Sequence, residues 1–435
     1  MLDRSSQTAQ PLTPPELLAP AGDFDCAKAA VENGADAVYF GLQTGFNARA
    51  RAANIALERL PELMHLLRRR NVKGYLAVNT LTFSNELADV ERIVRLAVDA
   101  GVDAVLVQDL GVLRLVRAVS ADLPVHASTQ MSLTSGQCIR AAQRLGIRRV
   151  VLPRELSIRE IAEIRAQTEI ELEAFVHGAL CVAYSGQCLT SESLGGRSAN
   201  RGQCAQACRM TYQMVCDGRD MDLGDVRYLL SPQDLAAFDL VPELIAAGVS
   251  GLKIEGRLKT AEYVANITRH YREAIDTAVA GRPVRFEPKR IEEMELSFSR
   301  GFSHGWLEGC DHKALVPGLS SANRGVFLGE VVGVRRDRVA VRLATSIKRG
   351  DGVVFDGDRA EGAEQGSRVY EVFQGGRSVT EPISHGEVEL AFGHGAVDVR
   401  RLRDGQKIWK TDDPELTRRL RKTFEGNQPR RRVPL

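Results

Sequence analysis

Five of the eight cysteines, Cys181, Cys188, Cys204, Cys208 and Cys216, fall within 36 residues, while Cys26, Cys138 and Cys310 stand alone. Within the cluster, Cys181 and Cys188 are separated by six residues and Cys204 and Cys208 by three, in a segment rich in Gly, Ser, Gln and Arg. A chain that folds back on itself there can present four thiolates around one centre, and thiolates in fours hold zinc or an iron–sulfur cluster. Zinc favours tight CxxC knuckles, and neither pair is one; the looser spacing suits the larger cluster. Buried, unligated thiols are a second reading, because free cysteine behaves as a small hydrophobe, although the polar neighbours are poor core company. Cys216 lies beyond the paired pattern and could replace one ligand.

A second set of reactive residue types follows short apolar runs. Asn47 and Arg49 are one such group; Gln108 and Asp109 are another, as are His126, Ser128 and Gln130. Arg154 with Glu155, Glu173 with His177, and Lys253, Glu255 and Arg257 complete it. His126, His177, Glu173 and Glu255 are the titratable candidates for proton transfer, hence the candidate catalytic residues. Asn47, Arg49, Asp109, Gln130, Arg154, Glu155, Lys253 and Arg257 are the candidate substrate-binding residues. In Lys253-Ile-Glu-Gly-Arg257 the three charges recur with period two and share one strand face. Three charges on an interior face must pair with one another or bind an anion. The planar guanidinium fork suits carboxylate, which singles out Arg49, Arg154 and Arg257. For any single member of the set, a salt bridge between loops explains the residue equally well.

These residues need a frame, and the spacing of the apolar runs supplies one. From Glu16 onward, short β-branched runs alternate with amphipathic helical patterns, the signature of βα units and a parallel sheet. Eight strands are predicted, beginning at Glu16, Ala37, Gly74, Ala104, Pro124, Arg149, Leu172 and Gly251. That number fits an α/β, TIM-type (β/α)8 barrel over residues 16–285, whose C-terminal strand ends form the catalytic face. The cysteines occupy an insertion, 178–228, after strand seven and therefore on that face. A helix is expected over 232–247 and another over 260–280, then a linker, 286–323. Residues 324–410 read as a small antiparallel β-barrel, and 411–435 as a basic tail containing Arg418, Arg419, Arg421, Lys422, Arg430, Arg431 and Arg432.

Composition bounds the rest. Hydrophobic content of 44% and charged content of 26% are those of an ordinary globular protein, and a net charge of +2 says little about partners. Residues 1–15 are polar and Pro-rich, read as disordered and without the apolar core of a signal peptide. No run approaches the roughly 20 apolar residues of a membrane span. The expectation is a cytoplasmic protein with reduced cysteines and no membrane partner.

The run Glu173-x-Phe175-x-x-Gly178-Ala179-x-Cys181, with Gly186-x-Cys188 and Ser191, resembles the signature of the collagenase-like U-32 peptidase family. The resemblance continues through Asn200 to Arg209, Ser231-Pro-Gln-Asp-Leu235 and Leu252-Lys-Ile-Glu-Gly-Arg257. Phe298-Ser-Arg-Gly-Phe302 and Trp409-Lys-Thr-Asp-Asp413 are similar to the branch that includes large-subunit rRNA 5-hydroxycytidine synthases. The resemblance implies a 4Fe-4S cluster and RNA base hydroxylation, of the 5-hydroxycytidine rRNA or 5-hydroxyuridine tRNA type, that depends on prephenate, a small dicarboxylate. Some relatives take a ligand from the Ser-Pro-x-Asp-Leu region, where this chain has Ala236, so Cys181, Cys188, Cys204 and Cys208 are the expected ligands. The chain is also shorter than the long rRNA-modifying members. Two other functions remain open: the collagenase-like peptidase of the family name, and a non-catalytic iron–sulfur assembly partner. The first lacks chemical support, since neither HExxH nor a nucleophile elbow is present.

Overall fold

The computed structural model describes residues 13–357, 364–426 and 429–431. Most of the N-terminal segment read as disordered, residues 1–12, and the extreme end of the basic tail lie outside the described residues.

Eight short apolar runs form the parallel strands β1 (Glu16–Ala21), β2 (Ala37–Phe40), β3 (Lys73–Val78), β4 (Ala104–Val107), β5 (Val125–Ala127), β6 (Ile147–Val151), β7 (Glu171–Ala179) and β8 (Gly251–Ile254). They are hydrophobic almost throughout because helices cover the sheet outside and side chains fill it inside. The sheet closes: β8 pairs in parallel with β1 (Glu16 opposite Gly251) and with β7 (Gly251 opposite Glu173). Several of the helices start on side-chain caps, Asp23, Asp109, Ser135, Ser157 and Thr260, which satisfy free first-turn N–H groups.

Two expectations are corrected. Residues 232–247 are not one helix. Asp234–Ala236 is a strand, antiparallel to the end of β7 and parallel to Phe302–Ser303, and only Val241–Ala246 is helical, with Pro242 in its first turn. Nor is 286–323 merely a linker. Its helix Pro288–Ser297 packs on the helix Ala261–Val279, where the Asn266 side chain donates to the Glu293 carbonyl at 2.6 Å and Arg269 pairs with Glu293 at 2.6 Å.

The second domain is a closed six-stranded antiparallel barrel of β9 (Val326–Arg335), β10 (Arg338–Leu343), β11 (Gly352–Phe355), β12 (Gln365–Gln374), β14 (Gly386–Phe392) and β15 (Lys407–Asp412), with β13 (Arg377–Val379) beside β12. Leu328, Val341, Phe355, Val372, Leu390 and Ile408 fill it. The basic tail forms the helix Pro414–Phe424, which buries Leu416, Leu420 and Phe424. Arg419 pairs with Glu293 at 2.5 Å and Arg421 with Glu262 at 2.6 Å, so part of the tail's charge ties it to the first domain.

Candidate active site at the barrel mouth

The cysteine insertion is fastened to the barrel loops at several points. After β6, Glu155 accepts the backbone N–H and the hydroxyl of Ser185, both at 3.0 Å, and Ser132 donates to the Ser185 carbonyl at 2.5 Å. Gly186, at φ +77°, sits so close to Gln130 that a Cβ would lie 2.2 Å from its carbonyl oxygen; no other residue fits without displacing the loop. The second pair is held the same way by Gly202, also at φ +77°, whose Cβ would lie 2.3 Å from the Asn47 carbonyl oxygen. Arg201 clamps Glu86 at 2.6 Å, and the Ser191 hydroxyl accepts the Ala205 N–H at 2.9 Å. Arg209, next to Cys208, donates to Ser231, to the Pro232 carbonyl and to the Leu180 carbonyl.

This folding brings the four expected thiols within electrostatic range of one another. The surrounding protein pushes Cys181 and Cys208 above the ordinary thiol value by desolvation, and Cys188 and Cys204 add to both shifts. Cys208 also feels Cys181. Among the described residues no three His, Cys, Asp or Glu side chains are close enough to share one metal ion. Tetrahedral zinc would need sulfurs about 3.8 Å apart, given Zn–S bonds of about 2.3 Å. As a donor set, four thiols on one loop-rich insertion are of the soft type that iron–sulfur clusters take. Cys216 sits on a separate exposed hairpin, Val215–Cys216 with Arg219–Asp220.

Next to the thiols lies a charged layer made by residues past the strand ends. Glu255 meets Arg154 Nη2 at 2.7 Å and Arg49 Nη2 at 3.2 Å. Burial would raise its pKa, but Arg49, Arg154 and Arg257 outweigh burial and hold it at about 2. Arg257 donates to Asn47 Oδ1 at 3.0 Å, while its Nη1 is buried without a partner among the described residues, as is Arg154 Nε. Burial pulls Arg257 down to about 10. Three guanidinium groups therefore face one carboxylate, with unused donors, which is an arrangement that attracts an anion. The layer adjoins the thiols, since Arg154 acts on Cys181 and Cys204 acts on Arg49.

Other residues expected at the mouth lie elsewhere. Glu173 is fully buried near the opposite, N-terminal ends of the strands, where it pairs with Lys253 at 2.9 Å and Arg149 at 3.3 Å. Arg149 also binds Glu16 at 2.5 Å and Glu171 at 2.6 Å, and Lys73 binds Glu16 at 2.7 Å. Three cations balance three carboxylates, so Glu173 and Lys253 act as barrel-interior struts. His126 is buried edge-on against Tyr75, and burial, then the Arg149 charge, drives it well below the usual histidine value. His177 is buried among Tyr263, Tyr271 and Phe302, and burial followed by His270 lowers it to about 3. Asp109 caps the helix Leu110–Val119, accepting from Gly111 and Val112. Glu155 and Gln130 support the insertion, and Asn47 orients Arg257. Of the predicted residues, Arg49, Arg154, Glu255 and Arg257, with Asn47, are brought together.

Sequence reasoning passed over a neighbouring group, Lys259, Arg209, Arg300 and Asp234. Arg209, Asp234 and Arg300 stand inside motifs already quoted, so their signal was present; Lys259 carried none.

A family profile described as Peptidase family U32 matches residues 22–316. An uncharacterized protease of Methanocaldococcus jannaschii is 36% identical over 420 residues, 91% of this chain and 97% of that protein. The 23S rRNA 5-hydroxycytidine C2501 synthase of Escherichia coli is 37% identical over 78% of this chain and 52% of its own, so this chain spans about half of that enzyme. The tRNA hydroxylation protein P1 of Bacillus subtilis is 34% identical over 80% of this chain and 84% of its own.

Proposed function

Because the chain belongs to peptidase family U32, we propose that it is an RNA-modifying enzyme that hydroxylates a nucleobase at the barrel mouth, with an iron–sulfur cluster on Cys181, Cys188, Cys204 and Cys208. The relatives whose names specify rRNA or tRNA hydroxylation support the reaction class. The observation that carries the reading is the adjacency of two features: four mutually interacting thiols, and a buried cationic layer in which Arg154 acts on Cys181 and Arg49 feels Cys204. When bound, such a cluster supplies one-electron transfer.

The chain's own residues bind and orient. Arg49, Arg154 and Arg257 offer forked donors to a small dicarboxylate co-substrate of the prephenate type, and Glu255 keeps the forks from repelling one another. Asn47 fixes the Arg257 fork in place. With Glu255 held ionised by three arginines, it is a poor proton donor or acceptor near neutral pH. Its role is electrostatic, and proton exchange falls to groups on the substrates.

The test is mass spectrometry of nucleosides in RNA from a strain lacking the gene. Loss of a hydroxylated base, restored by the wild-type gene and not by Cys181→Ala, is expected. An unchanged nucleoside profile in the deletion would sink the RNA reading and return the protease reading suggested by the archaeal relative's name.

A further inference from the structure

Charge balance distinguishes three groups of ionised side chains in the first domain. The barrel-interior network is neutral, and the Arg49–Arg154–Arg257 layer carries a surplus of cations over Glu255. A third group, on the rim beside the cysteine insertion, also carries a surplus. There Lys259, Arg209 and Arg300 surround the carboxylate of Asp234, which is 1% exposed, and Lys259 also feels Glu255, the carboxylate of the neighbouring layer. Asp234 is committed to Arg300, accepting Nη1 at 2.9 Å and the Arg300 backbone N–H at 3.0 Å. Arg300 Nε donates to the Ser321 carbonyl at 2.9 Å, which leaves Nη2 without an acceptor among the described residues. Lys259 is half-buried with its ammonium over the Phe298 ring, and Arg300 rests on the same ring. Among the described residues the Lys259 ammonium has neither a carboxylate nor a hydrogen-bond acceptor.

Removing an ammonium group from water beside two guanidinium groups is unfavourable unless an anion joins them. The strain is visible in Lys259 itself: burial, then the Arg300 charge, pulls it to about 7. The three cations come from three separate segments: the turn after β8, the cysteine insertion and the residues preceding Phe302–Ser303. Donors converging from several directions suit a tetrahedral oxyanion better than a flat carboxylate, which two parallel donors satisfy.

We propose that Lys259 and Arg300, with the charge of Arg209 beside them, form a phosphate seat that grips the RNA backbone next to the nucleotide entering the mouth, alongside the small-anion layer. The choice of RNA as the phosphate source rests on the proposed function; the seat itself rests on the charge surplus.

The test uses the full-length holoprotein and reads amine acylation of Lys259 by peptide mass spectrometry near pH 7.5, with exposed Lys289 and Lys313 as internal references. Four conditions are compared at equal ionic strength: chloride alone, inorganic phosphate, malonate and a short single-stranded RNA. An anion in the seat raises the Lys259 pKa and slows acylation: starting from about 7, a rise of one unit cuts the free-amine fraction at pH 7.5 about threefold and a rise of two units about 25-fold. Phosphate and RNA are expected to protect, and malonate is not. Equal protection by malonate, or protection by none, overturns the phosphate seat. Protection by inorganic phosphate without protection by RNA overturns the backbone assignment. Because the phosphate arm requires no RNA chemistry, its outcome stands apart from whether the protein hydroxylates RNA. In a parallel binding measurement, Lys259→Met is expected to weaken RNA affinity and lower the salt slope by about one, with Lys259→Arg restoring both. Failure of the arginine variant to restore them also overturns the proposal.

Discussion

Glu155 accepts two hydrogen bonds from Ser185, one from its N–H and one from its hydroxyl, each at 3.0 Å, and Ser185 lies between Cys181 and Cys188. The loop after β6 thereby fixes the first cysteine pair over the barrel. Partners of this kind are worth about 10–100-fold in metal affinity at known sites. Glu155→Ala is expected to lose iron to a chelator at least about tenfold faster than wild type. Iron release at the wild-type rate would show that the loop does not hold the pair.

Arg257→Ala removes a fork from the small-anion layer without touching a thiol. RNA modification should disappear while the visible absorption of the cluster stays intact. Arg257→Lys should recover little, because an ammonium cannot offer two parallel donors. Full activity in Arg257→Ala would remove this residue from the site.

Glu173 holds Lys253 and Arg149 inside the barrel, where all three side chains are buried. Glu173→Ala leaves two buried cations short of a partner and should cost about 3–5 kcal/mol in urea unfolding. A loss under about 1 kcal/mol, the range of an exposed pair, would contradict the structural role given to this carboxylate.

Acid should destabilise the protein early. His177, pushed by burial and then by His270 to about 3, stays neutral when folded, whereas the unfolded chain takes up a proton below its ordinary 6.5. Stability therefore falls as pH drops from 6.5 toward 3. Glu255 acts in the same direction over a lower window: held at about 2 by its arginines against the effect of burial, its contribution is complete above its ordinary 4.5 and is lost as pH falls from there toward 2. Urea midpoints measured between pH 7 and 4 should decline, and His177→Phe should flatten the decline by up to about 1.4 kcal/mol per pH unit, the slope of one proton. An unchanged slope in that variant would mean that the histidine is not held neutral.

All eight barrel strands were legible in the sequence because β-branched runs bounded by glycine and polar turns leave little ambiguity. Depth along a strand was not legible. Glu173 and His177 follow the same alternation as residues at the mouth, yet Glu173 sits opposite Gly251, the first residue of β8, and so falls at the wrong end of the barrel. Asp234–Ala236 was read as helix because its pairing with Ala179, Gly178 and His177 is a long-range event that local pattern does not encode. The arginine layer was found because Lys253, Glu255 and Arg257 announce a shared face. Lys259 escaped notice because its meaning depends on Phe298 and Arg300, roughly forty residues away.

The most direct test of the central claim is the iron and acid-labile sulfide content, with visible and EPR spectra, of the full chain purified without oxygen. About four iron and four sulfide per chain are expected, with broad visible absorption that is lost in Cys181→Ala, Cys188→Ala, Cys204→Ala and Cys208→Ala and retained in Cys216→Ala. Colourless, iron-free protein that still restores the hydroxylated base would contradict it.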